Sequence, residues 1–462
     1  MLKSIESTFK RKVFPNLLTT LKEYSHHLIL EKEPKIVGVT GSVGKSSFLH
    51  MLDTVMRDEM KTKTTFNGNS ETGLPLEILG IRDVLKDYSI FNWLMIFAIT
   101  PFAYLLRKVT FDYELLIAEM GIDSSKPPKN MSYLLEIIKP EIGILLSIST
   151  AHSQQFAQEL QLNQNDTSKI LQAIADEKGK IVTQLNQEAH AIINIDSPFI
   201  TNLIPQIKAN LITFGTSKDA DYQLLTHRVS LSESTFQVAF DGKKHTITIP
   251  NHMLSQEYGL LILATLATSR VLGVSESEAI QTLEKKLSLP PGRMSLIDGK
   301  NKSTILDSSY NSSPAALTSI LETTKKVQTN GKKIFVLGDM RELGPLEKNA
   351  HEAIYQQIKD FADIVILVGP LMEKYLAPKL AQENNIQLHT FKQSKGVGEF
   401  MLANDLVEEN DLITIKGSQN TIFLEQVVYE LMADQKTASS RLCRQSKYWI
   451  EIKSKFFAQS SS

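Results

Sequence analysis

The sequence contains almost no cysteine and no excess of either charge. Its 462 residues include one cysteine, 50 lysines and arginines, and 51 aspartates and glutamates, for a formal net charge of -1 at pH 7. A single cysteine, Cys443, excludes an internal disulfide framework and a zinc site built from several cysteines. It is typical of a reducing compartment, so we expect a cytoplasmic protein. The balanced charge gives no indication of nucleic-acid binding.

Long hydrophobic runs are also scarce. The first ten residues carry charges where a signal peptide would need an apolar run. The one long uncharged stretch is Phe91–Leu106, which is followed by Arg107 and Lys108. Its about 16 residues fall short of the roughly 20 that span a bilayer, and Pro101 interrupts it. Two alternatives remain open: a buried or partner-covered pair of helices, or shallow contact with a membrane surface.

Strand and helix patterns predict an α/β protein of more than one domain, since the chain is too long for one ordinary core. Apolar strands alternate with helices over residues 35–290, which predicts a parallel sheet, with a small antiparallel hairpin around Asp241-Gly242. After Pro290-Pro291-Gly292 the same rhythm repeats over residues 291–435. The outer parts are predicted to be a short helical segment, 1–34, and a C-terminal tail, 436–462. An apolar insertion lies at about 85–110.

The most informative stretch joins a β-branched strand to a glycine loop: Ile36-Val37-Gly38-Val39-Thr40-Gly41-Ser42-Val43-Gly44-Lys45-Ser46-Ser47. Loop N–H groups can close on phosphate oxygens, and the start of the next helix adds its positive end. Lys45 can neutralise phosphate charge, and the Ser46 hydroxyl can hold Mg²⁺. The spacing differs from the general Walker pattern because Val39 stands where a glycine is expected. We expect ATP to bind residues Thr40, Gly41, Ser42, Val43, Gly44, Lys45, Ser46 and Ser47.

Three further side chains, Glu119, His152 and Lys178, are candidate site residues, and residue type and position point to metal binding for Glu119 alone. Glu119 ends a predicted strand, at the sheet edge where ligands of open α/β sheets bind, and carboxylate oxygen suits Mg²⁺. His152 follows another strand, although an isolated histidine is more often structural. Lys178 lies in the helical stretch Ile174–Ile181, and one alternative for that stretch is a solvated, lysine-rich helix face.

In this order, the segments resemble the Mur ligase family, the ATP-dependent amide-forming enzymes of cell-wall peptide assembly. The resemblance covers roughly residues 35–450 and is strongest for the branch that adds D-alanyl-D-alanine. It implies a central P-loop ATPase domain and a Rossmann-like C-terminal α/β domain. The other segments that carry it are Phe66–Leu76, Leu289–Met294, Ile305–Pro314, Val336–Gly344 with His351-Glu352, and Ile415–Ser418.

The resemblance also implies roles for individual residues. Lys45, Glu119, His152 and Lys178 would be catalytic, with Ser46, Glu119, His152 and a carbamylated Lys178 serving two Mg²⁺ ions. Arg293 would reach the nucleotide phosphates or ribose, Asp307 the ribose hydroxyls and Asn311 the nucleotide edge. The implied substrates are a UDP-linked muramoyl peptide and D-alanyl-D-alanine. The matching substrate residues are Asn67, Asn69, Thr72, Asp339, Glu342 and Lys416.

Several departures from the family pattern leave alternatives open. Only 37 residues precede Gly38, fewer than the family's UDP-binding first domain needs. Lys180 and Gln419 stand where the motifs usually have glutamate and arginine. We therefore keep two rivals: a similar ligase acting on another acid and amine, and a non-catalytic ATP-binding scaffold. We also expect residues 1–34 and 85–110 to pack together as a helical lobe.

Overall fold

The computed structural model describes residues 13–66, 68–84, 89–149, 153–161, 166–341, 343–418 and 421–459. The chain forms two compact units. Unit 1 takes Met1–Gln223 with Leu260–Leu283, and unit 2 takes Leu224–Gly259 with Glu284–Ser462. The domain bounds proposed from the sequence, 35–290 and 291–435, stay predictions.

The strands are β1 Lys35–Thr40, β2 Thr62–Thr64, β3 Leu115–Glu119, β4 Ile142–Leu145, β5 His190–Asn194, β6 Asn210–Gly215, β7 Tyr222–Val229, β8 Glu233–Phe240, β9 Lys243–Pro250, β10 Ser295–Asp298, β11 Thr304–Ser308, β12 Lys333–Gly338, β13 Ile364–Val368, β14 Gln387–Phe391 and β15 Leu412–Lys416. The α-helices are α1 Phe14–Lys32, α2 Lys45–Met56, α3 Gly73–Ile78, α4 Ile90–Thr110, α5 Met131–Ile137, α6 Ser153–Glu159, α7 Thr167–Thr183, α8 Pro198–Thr201, α9 Gln256–Val271, α10 Glu276–Lys286, α11 Pro314–Lys326, α12 Glu347–Ile358, α13 Pro370–Tyr375, α14 Ala377–Leu380, α15 Val397–Ala403, α16 Glu425–Leu431, α17 Ala438–Arg441 and α18 Lys447–Gln459.

Unit 1 is built on a parallel sheet in the order β2-β3-β1-β4-β5-β6, to which the start of β7 pairs in parallel. All five residues of β3 and five of six in β1 are buried, as expected for strands covered on both faces. From β1 the chain continues toward β2, and from β4 it continues to β5 on the other side. The neighbours β1 and β4 therefore form the topological switch point, where ligands of such sheets bind.

Unit 2 contains the antiparallel hairpin of β8 and β9, which turns at Asp241 and Gly242. Both turn residues have positive φ, 49° and 71°, as a type I′ turn requires. Its main sheet has the order β10-β11-β15-β12-β13-β14, with only β10 antiparallel to its neighbour. These features confirm the predicted fold class: a P-loop α/β unit with an antiparallel hairpin, and a Rossmann-like α/β unit.

Helix α4 corrects one prediction. It runs as a single helix through Pro101, so the expected pair of helices is wrong. Proline inside a helix costs about 3 kcal/mol, and the burial of one helix face, including Trp93 and Ile96, offsets that cost. By length and composition α4 is able to cross a membrane, and 28% of its most apolar window is buried.

Helices α1 and α4 pack together, which confirms the contact expected between these two segments. The Phe14 and Trp93 rings lie 5.3 Å apart, and the Tyr24 and Tyr104 rings lie 5.1 Å apart. The first 12 residues and residues 85–88 of the predicted lobe lie outside the described part of the chain.

Candidate active site

The glycine loop lies between β1 and α2, at the switch point of unit 1. Gly44 is the N-cap of α2 with φ 92°, and a Cβ there would lie 2.8 Å from Leu261 Cδ2. The left-handed backbone therefore favours glycine, and any larger residue would also require the Leu261 side chain to shift. Lys45 Nζ donates to the Gly41 carbonyl at 2.9 Å, and Thr40 Oγ1 donates to the Met120 carbonyl at 2.7 Å.

The segment after β4 holds this loop from the other side. Ser42 N donates to the Ser147 carbonyl at 2.9 Å, and Val43 N donates to Ser147 Oγ at 3.0 Å. Ser149 N in turn donates to Ser42 Oγ at 2.9 Å. Sequence reasoning missed Ser147, because nothing in the motif shows which residue of a neighbouring strand end will face the loop.

Glu119 lies at the end of β3 and is 4% exposed. Ser46 Oγ donates to its Oε2 at 2.7 Å, and Asn69 Nδ2 donates to its Oε1 at 2.9 Å. The N–H of Glu119 donates to Thr65 Oγ1 at 2.9 Å. A hydroxyl and a carboxylate thus meet at the start of α2, and such hard oxygen donors fit Mg²⁺.

Two of the other predicted site residues, His152 and Asn67, lie outside the described residues. Within the described ranges, no group of three or more His, Cys, Asp or Glu side chains is arranged to hold a metal. Thr72 lies just before α3, and its Oγ1 is 3.3 Å from Ser70 Oγ.

Lys178, on α7, is 3% exposed, so the alternative of a solvated helix face does not fit it. Burial, and then the charge of Lys45, lower its pKa to about 7, while the charges of Asp123 and Glu119 act in the opposite direction. The neighbouring Lys180 instead pairs with Glu177 at 2.7 Å. Lys178 is thus a buried amine that feels the charges of one cation and two carboxylates. Loss or reversal of its own charge would therefore change the electrostatics of the whole site.

In unit 2, the Asp307 side chain is fully buried. Its Oδ1 accepts from Ser309 N at 2.9 Å, whereas its Oδ2 has no hydrogen-bond partner. Burial raises the pKa of Asp307 to about 6. A buried oxygen without a donor is costly, and a ligand hydroxyl would satisfy it.

Lys416, at the end of β15, is 4% exposed. Its ammonium group donates to the Asn311 carbonyl at 2.8 Å and to Ser308 Oγ at 3.2 Å. Burial, followed by the charge of Arg293, lowers the pKa of Lys416 to about 7. The structure therefore brings four predicted residues into one cluster of unit 2: Arg293, Asp307, Asn311 and Lys416.

Asp339 lies at the end of β12 and is fully buried. Its Oδ1 accepts from Leu371 N at 3.0 Å and Met372 N at 2.9 Å, and a Cβ on Gly369 would lie 2.6 Å from its Cγ. Its Oδ2 lacks a hydrogen bond, and burial raises its pKa. Asp339 thus holds the start of α13, and a role toward substrate stays a prediction. Glu342 lies outside the described residues.

The geometry defines a class: a nucleotide-binding α/β protein whose first sheet carries a glycine loop beside an oxygen-donor cluster. The chain belongs to the Mur ligase family. The family model of the Mur ligase middle domain matches residues 39–255, and the model of the Mur ligase glutamate ligase domain matches residues 292–419.

Individual relatives agree with this assignment. The chain is 25% identical over 417 residues to the UDP-N-acetylmuramoyl-tripeptide–D-alanyl-D-alanine ligase of Bacillus subtilis, covering 90% of this chain and 79% of the relative. It is 27% identical over 416 residues to the ligase of that name from Borreliella burgdorferi, covering 87% and 76%.

Solved structures share the fold. The MurF ligase of Thermotoga maritima, in complex with ADP, matches with a TM-score of 0.68 at 24% identity, covering 92% of this chain and 84% of that one. A folylpolyglutamate synthase of Mycobacterium tuberculosis, with ADP and AMPPCP, matches with a TM-score of 0.58 at 14% identity, covering 89% and 94%.

Proposed function

We propose that this chain is an ADP-forming acid–amino-acid ligase that joins D-alanyl-D-alanine to UDP-N-acetylmuramoyl-tripeptide in peptidoglycan precursor synthesis. The observation that carries the proposal is the bond from Ser46 Oγ to Glu119 Oε2 beside the glycine loop. It places a hydroxyl and a carboxylate together where the phosphates of ATP would lie. Relatives that match about nine tenths of the chain bear the name of this activity.

Bound ATP and Mg²⁺ would supply the phosphoryl group that activates the substrate carboxylate, and the charge that balances the phosphates. Lys45 adds positive charge at the glycine loop of unit 1. Within unit 2, Arg293 is the candidate contact for the nucleotide phosphates or ribose. The unpaired Oδ2 of Asp307 accepts from a ribose hydroxyl, which removes the cost of leaving it without a donor. Ser46 and Glu119 would hold the metal, with His152 as the proposed further ligand.

We propose that Lys178 works as a carbamate. Its burial next to the charges of Lys45, Asp123 and Glu119 supports this, since a free ammonium there carries a desolvation cost. Carbamylation replaces that cation with an anion, which can contact Mg²⁺. We propose that the reaction takes place in the cytoplasm, and the single buried cysteine supports this because it suits a reducing compartment.

The activity test measures ADP release with UDP-N-acetylmuramoyl-tripeptide and D-alanyl-D-alanine, and with each omitted in turn. We expect ADP only when both are present, and none from Glu119→Gln. Replacing D-alanyl-D-alanine with L-glutamate tests the rival ligase. ADP release with L-glutamate, and not with D-alanyl-D-alanine, would favour that rival. A folded protein that releases no ADP with any pair would favour the non-catalytic scaffold.

The exposed face of α4 supports a further proposal, contact with a lipid surface. Its large exposed side chains are Phe91, Leu94, Phe97, Phe102, Leu105, Leu106 and Val109. From their exposed fractions they present roughly 800 Å² of apolar surface, above the ~300–600 Å² of the largest patch on a typical monomer. Along described residues 90–109 every exposed side chain is apolar.

A bilayer fits this face better than a second protein does. A protein interface of that size would carry about one hydrogen bond per 100–200 Å², which this face cannot supply. Residues 1–12, which precede α1 in the sequence, carry four cations and one carboxylate. This positive charge complements anionic lipid.

Sedimentation with vesicles of phosphatidylcholine, with and without phosphatidylglycerol, tests this contact. We expect binding that Phe102→Glu with Leu106→Glu abolishes, and that Leu30→Glu, an exposed leucine on α1, leaves intact. If the wild type does not bind vesicles, and light scattering shows a dimer that the double variant disrupts, the exposed face of α4 would instead contact a second copy of the chain.

A further inference from the structure

The C-terminal residues of unit 2 reach the loop that carries the candidate nucleotide residues. Arg444 lies between α17 and α18, beyond both ranges that the family models match. Its side chain is 3% exposed. Nη2 donates to the Tyr310 carbonyl, and Nη1 donates to Glu425 Oε2 at 2.8 Å.

The ion pair that Arg444 forms with Glu425 is buried. Glu425, the first residue of α16, is fully buried, and Lys453 Nζ lies 3.5 Å from its second oxygen. Arg444 itself has φ 54°, a left-handed conformation that is uncommon for a residue other than glycine. Its side-chain bonds to Glu425 and Tyr310 are therefore made from a backbone position that the surrounding structure must hold.

The Tyr310 ring contacts both Arg444 and Arg293, and Arg293 is the candidate residue for binding nucleotide phosphates. Arg293 Cζ lies 4.3 Å from the ring centroid, and Arg444 Cζ lies 5.4 Å from it. The two cations differ in their partners. Arg444 forms an ion pair with Glu425, whereas among the described residues no carboxylate forms an ion pair with Arg293. The charge of Arg293 is therefore available to an anionic ligand while the ring holds its guanidinium.

The same loop is held at other points too. Tyr310 N donates to the Gly292 carbonyl at 3.1 Å, and Lys416 Nζ donates to the Asn311 carbonyl at 2.8 Å. These bonds fix the backbone on either side of Tyr310, and Arg444 fixes its carbonyl. The Tyr310 backbone under Arg293 is thus held by three contacts, of which the C-terminal segment supplies the bond from Arg444.

We propose that Arg444 is a positioning residue: it holds Tyr310 beneath Arg293, so that the Arg293 guanidinium is preset for nucleotide phosphates. The inference rests on the proposed ATP-dependent function and deepens it. An arginine that is already ordered loses less side-chain freedom when phosphate binds, and nucleotide affinity gains accordingly. The proposal gives this contact no role toward the reacting peptide or amine, so the effect should be specific to the nucleotide.

The test compares Arg444→Met, Arg444→Lys and Tyr310→Leu with Arg441→Met. Arg441 is a matched control because it is exposed, lies three residues away and, among the described residues, bonds only to the Leu296 carbonyl. Titration calorimetry with Mg²⁺ and ADP gives Kd, and ADP release gives kcat and each KM. Tyr310→Leu keeps the buried Arg444–Glu425 pair, so it decides the matter if Arg444→Met does not fold.

We expect Kd for ADP and KM for ATP to rise about tenfold in Arg444→Met and Tyr310→Leu. Kcat and KM for the muramoyl peptide should change little, Arg444→Lys should recover part of the affinity, and Arg441→Met should match wild type. A wild type that binds no nucleotide would refute the proposed function itself. If the wild type binds ADP and the folded variants bind it equally well, this inference alone is overturned. The same holds if the variants lose affinity for all substrates alike.

Discussion

The buried amine of Lys416 makes the stability of unit 2 depend on pH in a predictable direction. Its pKa falls from 10.5 to about 7 because burial disfavours the charged form. Between these values the unfolded chain binds more protons than the native one, so stability rises with pH. The contribution is present in full above pH 10.5 and is lost as pH falls through about 7.

The substitution Lys416→Met removes this titration. The free-energy difference between wild type and variant should change by about 3–4 kcal/mol from pH 7 to pH 10, at about 1.4 kcal/mol per pKa unit. The variant also leaves the Asn311 carbonyl without its donor, at a cost of about 1–3 kcal/mol. Lys416→Met should therefore be the more stable form near pH 7 and the less stable form near pH 10.

Urea unfolding followed by Trp449 fluorescence measures this, in a Trp93→Phe background so that only unit 2 reports. Lys395→Met is the control, because that lysine is exposed in the same unit. The control should track wild type at every pH. A difference for Lys416→Met that stays constant from pH 7 to pH 10 would refute a depressed pKa at Lys416.

Three further outcomes are expected in unit 1. Lys45→Ala should fold normally and lose roughly 10²-fold or more in ADP release, because the loop lysine supplies charge and not packing; near-normal turnover would contradict the glycine-loop assignment. Activity should fall when CO₂ is removed and return with bicarbonate, and Lys178→Ala should be partly rescued by small carboxylates; full activity of Lys178→Ala would leave the carbamate without support. Gly44→Ala should lower Tm, since its φ of 92° and the 2.8 Å approach to Leu261 leave no room for a methyl group, whereas Gly273→Ala, with open space around it, should lower Tm less; equal shifts would mean that Leu261 yields.

Much of the fold could be predicted because its long strands are continuous apolar runs bounded by clear turns. Strands β12 and β13 are such runs, since five of the six residues of β12 and all five of β13 are buried. The short strands β2 and β10 were not predicted. Thr62–Thr64 and Ser295–Asp298 are too brief and too polar to show a period, and their strand form depends on the neighbours they pair with.

The candidate site likewise combines residues that could be predicted from the sequence with contacts that could not. The sequence showed Lys45, Ser46 and Glu119, because phosphate and Mg²⁺ chemistry restricts the residue types allowed after a strand. It did not show that Ser147 holds the loop or that Arg444 reaches Tyr310, since those contacts join residues more than 100 positions apart. Nor did it show the single course of α4 through Pro101, which depends on burial of one helix face.

By itself, then, the sequence determined the order of strands and helices, the family, and the residue types at the phosphate loop, because these depend on local periodicity and on chemistry at fixed spacing. Only the tertiary structure decided that Lys178 and Lys416 are buried and that Asp307 keeps an unpaired oxygen. The physical reason is that desolvation and hydrogen-bond partners are set by which distant segments cover a side chain. A lysine in solution and a lysine with a pKa of about 7 look the same in a sequence.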